Sequence, residues 1–150
     1  MNLTSENETK VFAEKIAKKI QKKSITVCLN GDLGSGKTTF SRYLINALQK
    51  NKNQIEIPSP TFTLLQTYEY KFGEIYHYDF YRLESAKELI ELNFSESIKD
   101  NICLIEWANK FKEALPRDRV EIFFKITSKH SRKLDFKFFG HIKEAKLLWN

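Results

Sequence analysis

The sequence is poor in the residues that break a fold or staple it together. Its 150 residues include five glycines, three prolines and two cysteines. This composition excludes a collagen-like chain, a proline-rich disordered chain and a disulfide-dense secreted domain. Cys28 and Cys103 lie within apolar runs and have no Cys or His at metal-ligand spacing. We therefore expect two buried thiols in a reduced cytoplasmic protein, and no zinc site.

Long apolar stretches are missing as well. No run approaches the roughly 18 residues that a membrane helix requires. The start of the chain, residues 1–8, is polar and acidic and lacks the apolar segment of a signal peptide. We therefore expect a cytoplasmic protein with no membrane contact. The basic residues 141–149 are predicted to form a terminal helix that docks on the domain.

Apolar and basic residues are abundant. Apolar residues make up 41% of the chain and include twelve Phe and six Tyr, enough for the core of one domain spanning residues 1–150. Lys and Arg number 25 against 19 Asp and Glu, which leaves a formal charge of +6. A basic balance suits anionic partners such as nucleotides or RNA, so tRNA contact stays an open possibility.

Hydrophobic periodicity predicts an α/β fold built on one mixed sheet. Helices are predicted at 5–20, with a capping box from Ser5 to Glu8, and at 40–48, 85–92 and 111–115. Strands are predicted at 24–30, 62–70, 74–80, 102–105, 120–124 and 134–138. The strands at 62–70 and 74–80 flank Lys71-Phe72-Gly73 and are predicted to pair as a hairpin.

A Gly-rich loop follows the first predicted strand. The segment Gly31-Asp-Leu-Gly-Ser-Gly36-Lys37-Thr38 matches G-x-x-x-x-G-K-[ST] in full, and it lies between a strand and a helix. Glycines let backbone N–H groups approach phosphate oxygens, Lys37 can reach the β- and γ-phosphates, and Thr38 offers a hydroxyl to Mg²⁺. The ATP-binding residues predicted here are Gly31, Asp32, Leu33, Gly34, Ser35, Gly36, Lys37, Thr38 and Thr39. Thr39 is alternatively an ordinary helix residue.

Two acids end apolar strands and are candidates to complete the site. Glu106 closes the strand 102–105, where a carboxylate ligand of Mg²⁺ is expected. Asp79 follows the strand 75–78 and is its rival, either holding Mg²⁺ through water or orienting the attacking water. We predict Lys37, Asp79 and Glu106 as catalytic residues, and Thr38 and Glu106 as metal ligands.

Three further residues have two interpretations each. Thr61, in Ser59-Pro-Thr61-Phe62, either reaches Mg²⁺ or the γ-phosphate, or simply begins a strand. Trp107 either packs beside the nucleotide or belongs to the core. His77 has no Ser or Cys partner in a recognisable arrangement, so a structural role is favoured over a catalytic one.

Missing motifs narrow the nucleotide and the reaction. The guanine-reading sequence Asn-Lys-x-Asp is absent, since Asn109-Lys-Phe-Lys lacks the acid, and no Asp-x-x-Gly follows the loop. ATP is therefore preferred over GTP. Arg117, Arg119 and Arg132 are sparse candidates for the lid of a small P-loop kinase. A kinase and a nucleotide-gated RNA-binding module are the two alternatives to an ATPase.

Four segments taken together resemble the bacterial TsaE family. They are the loop from Gly31 to Thr39, Ser59-Pro-Thr61-Phe62, His77-Tyr-Asp79-Phe-Tyr-Arg82-Leu83 and Ile105-Glu106-Trp107, and the resemblance covers roughly residues 5–127. It implies a P-loop NTPase-like three-layer fold with a mixed, mainly parallel β-sheet. The tail from Ser128 onward matches least.

The resemblance also implies a function. TsaE-like proteins are Mg²⁺-dependent ATPases, slow when alone, that assist the TsaB–TsaD complex. That complex forms N6-threonylcarbamoyladenosine at position 37 of tRNAs reading ANN codons, and ATP hydrolysis is expected to reset it between turnovers. By matching positions, Lys37 and Thr38 would bind phosphate and Mg²⁺, and Thr61 would be a switch-like threonine. Asp79 and Glu106 would be the acids, with Trp107 beside them.

Overall fold

A seven-stranded sheet with helices on both faces organises the chain in the computed structural model, which describes residues 1–50 and 55–142. The strands are β1 (Asn2–Leu3), β2 (Ile25–Gly31), β3 (Leu65–Tyr70), β4 (Gly73–Asp79), β5 (Ile102–Glu106), β6 (Arg119–Ile126) and β7 (Arg132–Phe139). The helices are α1 (Glu6–Ile20), α2 (Lys37–Gln49), α3 (Glu88–Glu91) and α4 (Phe94–Asp100), with a 3₁₀ segment at Ala108–Ala114.

The strand order is β1-β7-β6-β2-β5-β4-β3. The four central strands, β6, β2, β5 and β4, are parallel, while β7, β1 and β3 add antiparallel edges. Strand β5 is buried along its whole length, as expected for a parallel strand covered on both faces. The predicted mixed, mainly parallel sheet and the hairpin at 62–80 are therefore confirmed.

Helices α1 and α2 cover one face of the sheet. Ser5 caps α1 by accepting a hydrogen bond from the Glu8 N–H at 3.3 Å, as the capping box predicts. Phe12 and Ile16 of α1 pack with Phe40 of α2 over the apolar side of β2, β5 and β6. Burial of this apolar stripe holds both helices on the sheet.

The other face carries α3, α4 and the 3₁₀ segment. Tyr78 and Phe80 meet Phe94 of α4 edge-on, with ring centroids 5.2 and 5.6 Å apart, in a second apolar cluster. Cys28 belongs to this cluster and Cys103 lies nearby. Both are free and buried, as predicted. Burial raises the pKa of the Cys103 thiol to about 12 and also raises the pKa of the Cys28 thiol, so both stay protonated.

The predicted helix at 85–92 has the wrong bounds. Only Glu88–Glu91 is α-helical, although the Glu88 carboxylate accepts from the Glu84 and Ser85 N–H groups, and the bond to the Ser85 N–H is that of a capping box. The chain then passes through Asn93 with φ +53° into α4, which was not predicted. Helix α4 has seven residues and two buried side chains, too few to show a helical period.

Smaller differences lie at the strand starts. The segment before β3 is a turn in which the Leu64 N–H donates to Pro60 O at 2.7 Å, so that strand begins at Leu65 rather than residue 62. The two-residue strand β1 was not predicted, since it is too short for an alternating pattern. The predicted terminal helix at 141–149 lies outside the described residues beyond Ile142. Within the described residues, no helix has the length and hydrophobicity needed to span a bilayer.

Replacing Leu104 by alanine tests the central position of β5. Leu104 has no exposed surface, so we expect Leu104→Ala to lower the free energy of unfolding by about 2–5 kcal/mol. The matched control is Ile90→Ala, because that side chain is 78% exposed and its loss should cost within about 0.5 kcal/mol. Urea unfolding followed by circular dichroism measures both, and equal effects would contradict the packing described.

Candidate nucleotide-binding site

The Gly-rich loop joins the end of β2 to the start of α2. Gly31, Gly34 and Gly36 have φ values of +148°, +72° and +106°. A Cβ at Gly31 would lie 2.5 Å from Phe124 O, so only glycine fits there. Gly36 is the N-cap of α2, and this helix has neither a side-chain cap nor an acidic residue in its first turn. Its first N–H groups are therefore left for an anion.

Lys37 lies back across this loop. Its Nζ donates to Gly31 O at 2.7 Å and Asp32 O at 2.9 Å, and it lies 4.1 Å from the centre of the Trp107 ring. Burial lowers the pKa of the Lys37 ammonium, and the nearby Glu106 and Asp79 carboxylates act in the opposite direction. Among the described residues no carboxylate forms an ion pair with Lys37, so its direct partners are backbone carbonyls and the ring, and the acids act only from a distance. Such a cation is suited to a phosphate.

Strand register brings the two acids to this loop. Asp79 at the end of β4 pairs with Glu106 at the end of β5, and Glu106 pairs with Leu29 near the end of β2. Parallel strands end at the same edge of a sheet, so all three chain segments leave it together. The loop and both carboxylates therefore share one edge.

Glu106 connects the sheet to α2. Its Oε2 accepts a hydrogen bond from Thr38 Oγ1 at 2.8 Å, and its Oε1 lies 2.8 Å from Nε2 of the buried His77. Because a carboxylate only accepts, the imidazole carries its proton on Nε2. His77 Nδ1 has no hydrogen-bond partner in the described part of the chain. The favoured structural role of His77 thus takes a definite form, since it holds Glu106.

Asp79 holds the loop that contains Thr61. Its Oδ2 accepts from Thr61 Oγ1 at 2.8 Å and Ser59 Oγ at 3.2 Å, while its Oδ1 accepts from the Tyr81 N–H at 2.8 Å. The chain before this loop is tied to α2, because the Asn46 side chain bonds both the N–H and the C=O of Ile55. Thr61 therefore contacts the second acid and does not simply begin a strand.

These groups face one cleft of about 190 Å³. Of the residues predicted to bind nucleotide, it is lined by Leu33, Gly34, Ser35, Gly36, Lys37, Thr38, Thr39, Thr61 and Trp107, together with both acids. Gly31 and Asp32 contribute through the carbonyls that hold Lys37. Trp107 lines the cleft with its ring 5.0 Å from that of Tyr81, and it is also partly buried against the second apolar cluster.

Arg132 enters the site without a sequence signal that assigned it there. It begins β7, and its guanidinium donates to Ser35 O and Gly34 O of the loop at 2.9 and 3.2 Å. Arg132, Arg117 and Arg119 are the candidates that the sequence provides for a kinase lid. Arg119 pairs with Thr26 near the start of β2, whereas the loop follows the end of that strand. Arg119 and the nearby Arg117 therefore lie at the opposite end of the strands from the loop. His77 had a weak signal, since period-two spacing places it on the same strand face as Asp79.

The donor set suits a hard, oxygen-preferring cation. Thr38 Oγ1 and the Glu106 carboxylate meet at one point, with Asp79 and Thr61 across the same cleft. Mg²⁺ binds proteins through one or two carboxylates, hydroxyls, water and substrate phosphates. Residues 1–50 and 55–142 contain no group of three His, Cys, Asp or Glu side chains arranged around a metal. The hydroxyl of Thr38 and the carboxylate of Glu106 are two oxygen donors of the kind that Mg²⁺ takes from a protein when water and phosphate supply the rest.

The fold is that of a P-loop protein. In a mixed, mainly parallel sheet, a G-x-x-x-x-G-K-T loop joins a strand to a helix and faces two acids at the ends of neighbouring strands. A family model described as "Threonylcarbamoyl adenosine biosynthesis protein TsaE" matches residues 3–134. The chain belongs to the TsaE family, which acts in tRNA threonylcarbamoyladenosine biosynthesis, as the motifs indicated.

Relatives agree with this assignment. A tRNA threonylcarbamoyladenosine biosynthesis protein TsaE of Rickettsia typhi is 44% identical over 136 residues, covering 90% of this chain and 92% of the relative. The protein of the same name from Bacillus subtilis is 34% identical over 135 residues, covering 89% and 82%. The crystal structure of Bacillus subtilis YdiB superposes with a TM-score of 0.72 at 28% identity, covering 99% of this chain and 88% of that one.

Replacing His77 tests whether it holds Glu106. His77→Leu leaves the buried Oε1 of Glu106 without a donor, so we expect a loss of about 1–3 kcal/mol in the free energy of unfolding. His77→Gln keeps an N–H donor at similar reach and should recover at least half of that loss. His130→Leu, at an exposed position, is the control. Urea unfolding compares them, and equal stability of the Leu and Gln variants would refute the assigned contact.

Proposed function

We propose that this protein is a cytoplasmic Mg²⁺-dependent ATPase that assists the TsaB–TsaD complex in forming threonylcarbamoyladenosine at position 37 of tRNAs reading ANN codons. The observation that carries the ATPase proposal is the cleft itself. There the uncapped N-terminus of α2 and the Lys37 ammonium face the Asp79 and Glu106 carboxylates. Phosphoryl transfer to water requires a cationic group that binds the phosphates. It also requires acidic groups that bind the metal and position the water.

The cationic half of the cleft would hold the triphosphate. The N–H groups that open α2 offer a positive dipole end, and Lys37 would exchange the Gly31 and Asp32 carbonyls for β- and γ-phosphate oxygens. That exchange replaces two dipoles by two anionic groups around a partly desolvated ammonium, so it is favourable.

A neighbouring cavity would hold the nucleoside. It has a volume of about 130 Å³ and lies between the start of α1 and the turn that joins β6 to β7. Ser5, Thr9, Lys129 and His130 line it, and it shares Gly36, Thr39 and Arg132 with the phosphate cleft. The two spaces are adjacent at Gly36, Thr39 and Arg132, which supports a ligand with an anionic tail and a separate head.

The acidic half of the cleft would supply the metal ligands and the water-positioning group. Thr38 Oγ1 and the Glu106 carboxylate would hold Mg²⁺, which when bound neutralises charge on the phosphates. His77 fixes the Glu106 carboxylate from behind. Asp79, held by Thr61, Ser59 and the Tyr81 N–H, would orient the attacking water or hold the metal through water. Such catalysis depends on positioning and on electrostatic stabilisation.

The charge clamp within this chain is incomplete. Of the arginines in the described residues, only Arg132 lines the cleft, and its donors are engaged by backbone carbonyls. Arg82 lies over the Phe62 ring at 4.7 Å. At the cleft, Leu33 and the neighbour of Thr61, Phe62, leave 79% and 81% of their surface exposed. The incomplete charge clamp and the apolar rim support completion of the site by a protein partner.

Two substitutions separate binding from catalysis. Lys37→Ala should abolish turnover and weaken ATP binding by about tenfold or more, because the phosphate charge is left uncompensated. Glu106→Gln should reduce turnover by about a hundredfold while ATP affinity stays within about threefold, because its role is metal and water positioning. Steady-state phosphate release and calorimetric titration measure the two effects, with Lys18→Ala in α1 as the control. Unchanged turnover in Lys37→Ala would refute the ATPase proposal.

Partner dependence is tested by adding the proposed complex. ATP hydrolysis should be slow for the purified protein and rise at least about tenfold with TsaB and TsaD, because a partner supplies the missing charge stabilisation. Phosphate release is measured alone, with TsaB–TsaD, and with TsaB–TsaD plus tRNA. Phe62→Ser should lose the stimulation and keep the basal rate. Rapid transfer of phosphate to a small metabolite would instead support the kinase alternative.

A further inference from the structure

Arg132 connects the Gly-rich loop, residues 31–38 and called the phosphate loop from here on, to the turn between β6 and β7. Its Nε donates to Ser35 O at 2.9 Å and its Nη2 to Gly34 O at 3.2 Å. Its Nη1 donates to Ser128 O at 3.1 Å and Ser131 O at 2.9 Å. One guanidinium thus holds four carbonyls from two loops that lie almost a hundred residues apart in sequence.

The contact on the phosphate loop fixes two successive peptide groups. In a trans peptide the C=O of one residue and the N–H of the next point in opposite directions. With the Ser35 C=O held by Arg132, the Gly36 N–H is directed away from the guanidinium. Gly34 and Gly36 have positive φ and no Cβ, so their own backbone preferences do not hold this orientation.

Within the loop itself few other contacts could replace Arg132. The Ser35 N–H donates to Asp32 O at 3.1 Å, and Lys37 binds the carbonyls of Gly31 and Asp32. Neither contact reaches the Gly34 or Ser35 carbonyl. A planar guanidinium presents several donors in fixed directions, whereas a lysine ammonium has no such geometry.

The turn that Arg132 holds lies beside the cavity proposed above for the nucleoside. Lys129 and His130 of this turn line that cavity, and Arg132 lies between it and the phosphate cleft. One guanidinium therefore connects the turn beside this cavity to the loop beside the cleft.

We propose that Arg132 is a positioning residue that shapes the 31–38 loop for phosphate binding and couples it to the β6–β7 turn. The ligand in this inference rests on the proposed ATPase function. The shaping of the loop does not, since it is a property of the protein by itself.

The first experiment measures the loop without nucleotide. Amide hydrogen exchange of the Ser35 N–H, followed by NMR or on a peptide covering residues 31–36, is compared for Arg132→Gln, Arg132→Lys and the wild type. We expect exchange to accelerate about tenfold or more in both variants while β2 and β5 keep their protection. The control is Arg117→Gln, an exposed position at the opposite end of the strands. Unchanged loop exchange in both variants would overturn the proposal.

The second experiment measures binding with and without a nucleoside. Calorimetric titrations with Mg²⁺–ATP and with Mg²⁺–inorganic triphosphate should show both affinities falling by the same factor, about tenfold, in Arg132→Gln and Arg132→Lys. Turnover at saturating ATP should fall less than the affinity does. A loss confined to ATP would make Arg132 a nucleoside contact and overturn the proposal, as would unchanged affinity for both ligands.

The two experiments separate this inference from the function on which its ligand rests. A wild-type protein that binds neither ATP nor triphosphate refutes the proposed function, and loop exchange still decides the role of Arg132. Melting temperatures guard against global unfolding. Should Arg132→Gln unfold, Arg132→Lys decides, because it keeps the charge and side-chain length and removes only the planar fork.

Discussion

The rest of the site depends on the two hydrogen bonds that the Glu106 carboxylate accepts. Glu106 ends the central strand β5, accepts from Thr38 of α2 and meets His77 of β4. Both oxygens are thereby committed, so the acid cannot rotate independently of the helix that carries the phosphate loop. A buried carboxylate is tolerated only when such donors surround it. This one places three elements in register with one another.

Charge in the cleft is divided between two walls. The loop, the start of α2 and Lys37 form a cationic wall, and Asp79 and Glu106 form an acidic one. Lys37 lies between them, held by carbonyls and the Trp107 ring and without a carboxylate among its close contacts in the described residues. Under the proposed function, such a site would bind a phosphate chain together with a divalent cation better than either alone, because each would neutralise the wall that the other leaves unpaired.

Short-range sequence patterns predict much of the fold. The motif from Gly31 to Thr38, the apolar run of β5 and the alternation in β6 and β7 are short-range signals that burial enforces, and the structure keeps each of them. The failures were also local. Helix α4 is too short to show a period, and the helix predicted at 85–92 is limited to Glu88–Glu91. Both segments are too short for hydrophobic periodicity to define where a helix begins and ends.

The sequence by itself determined the phosphate loop and pointed to both acids, because a glycine pattern and strand-end carboxylates are encoded by neighbouring residues. Only the tertiary structure decided that His77 holds Glu106, that Thr61 binds Asp79 and that Arg132 grips the loop. Those pairs lie 18 to 97 residues apart in sequence. Their meeting depends on strand order and register, which arise from burial of the whole sheet and leave no trace in any single segment.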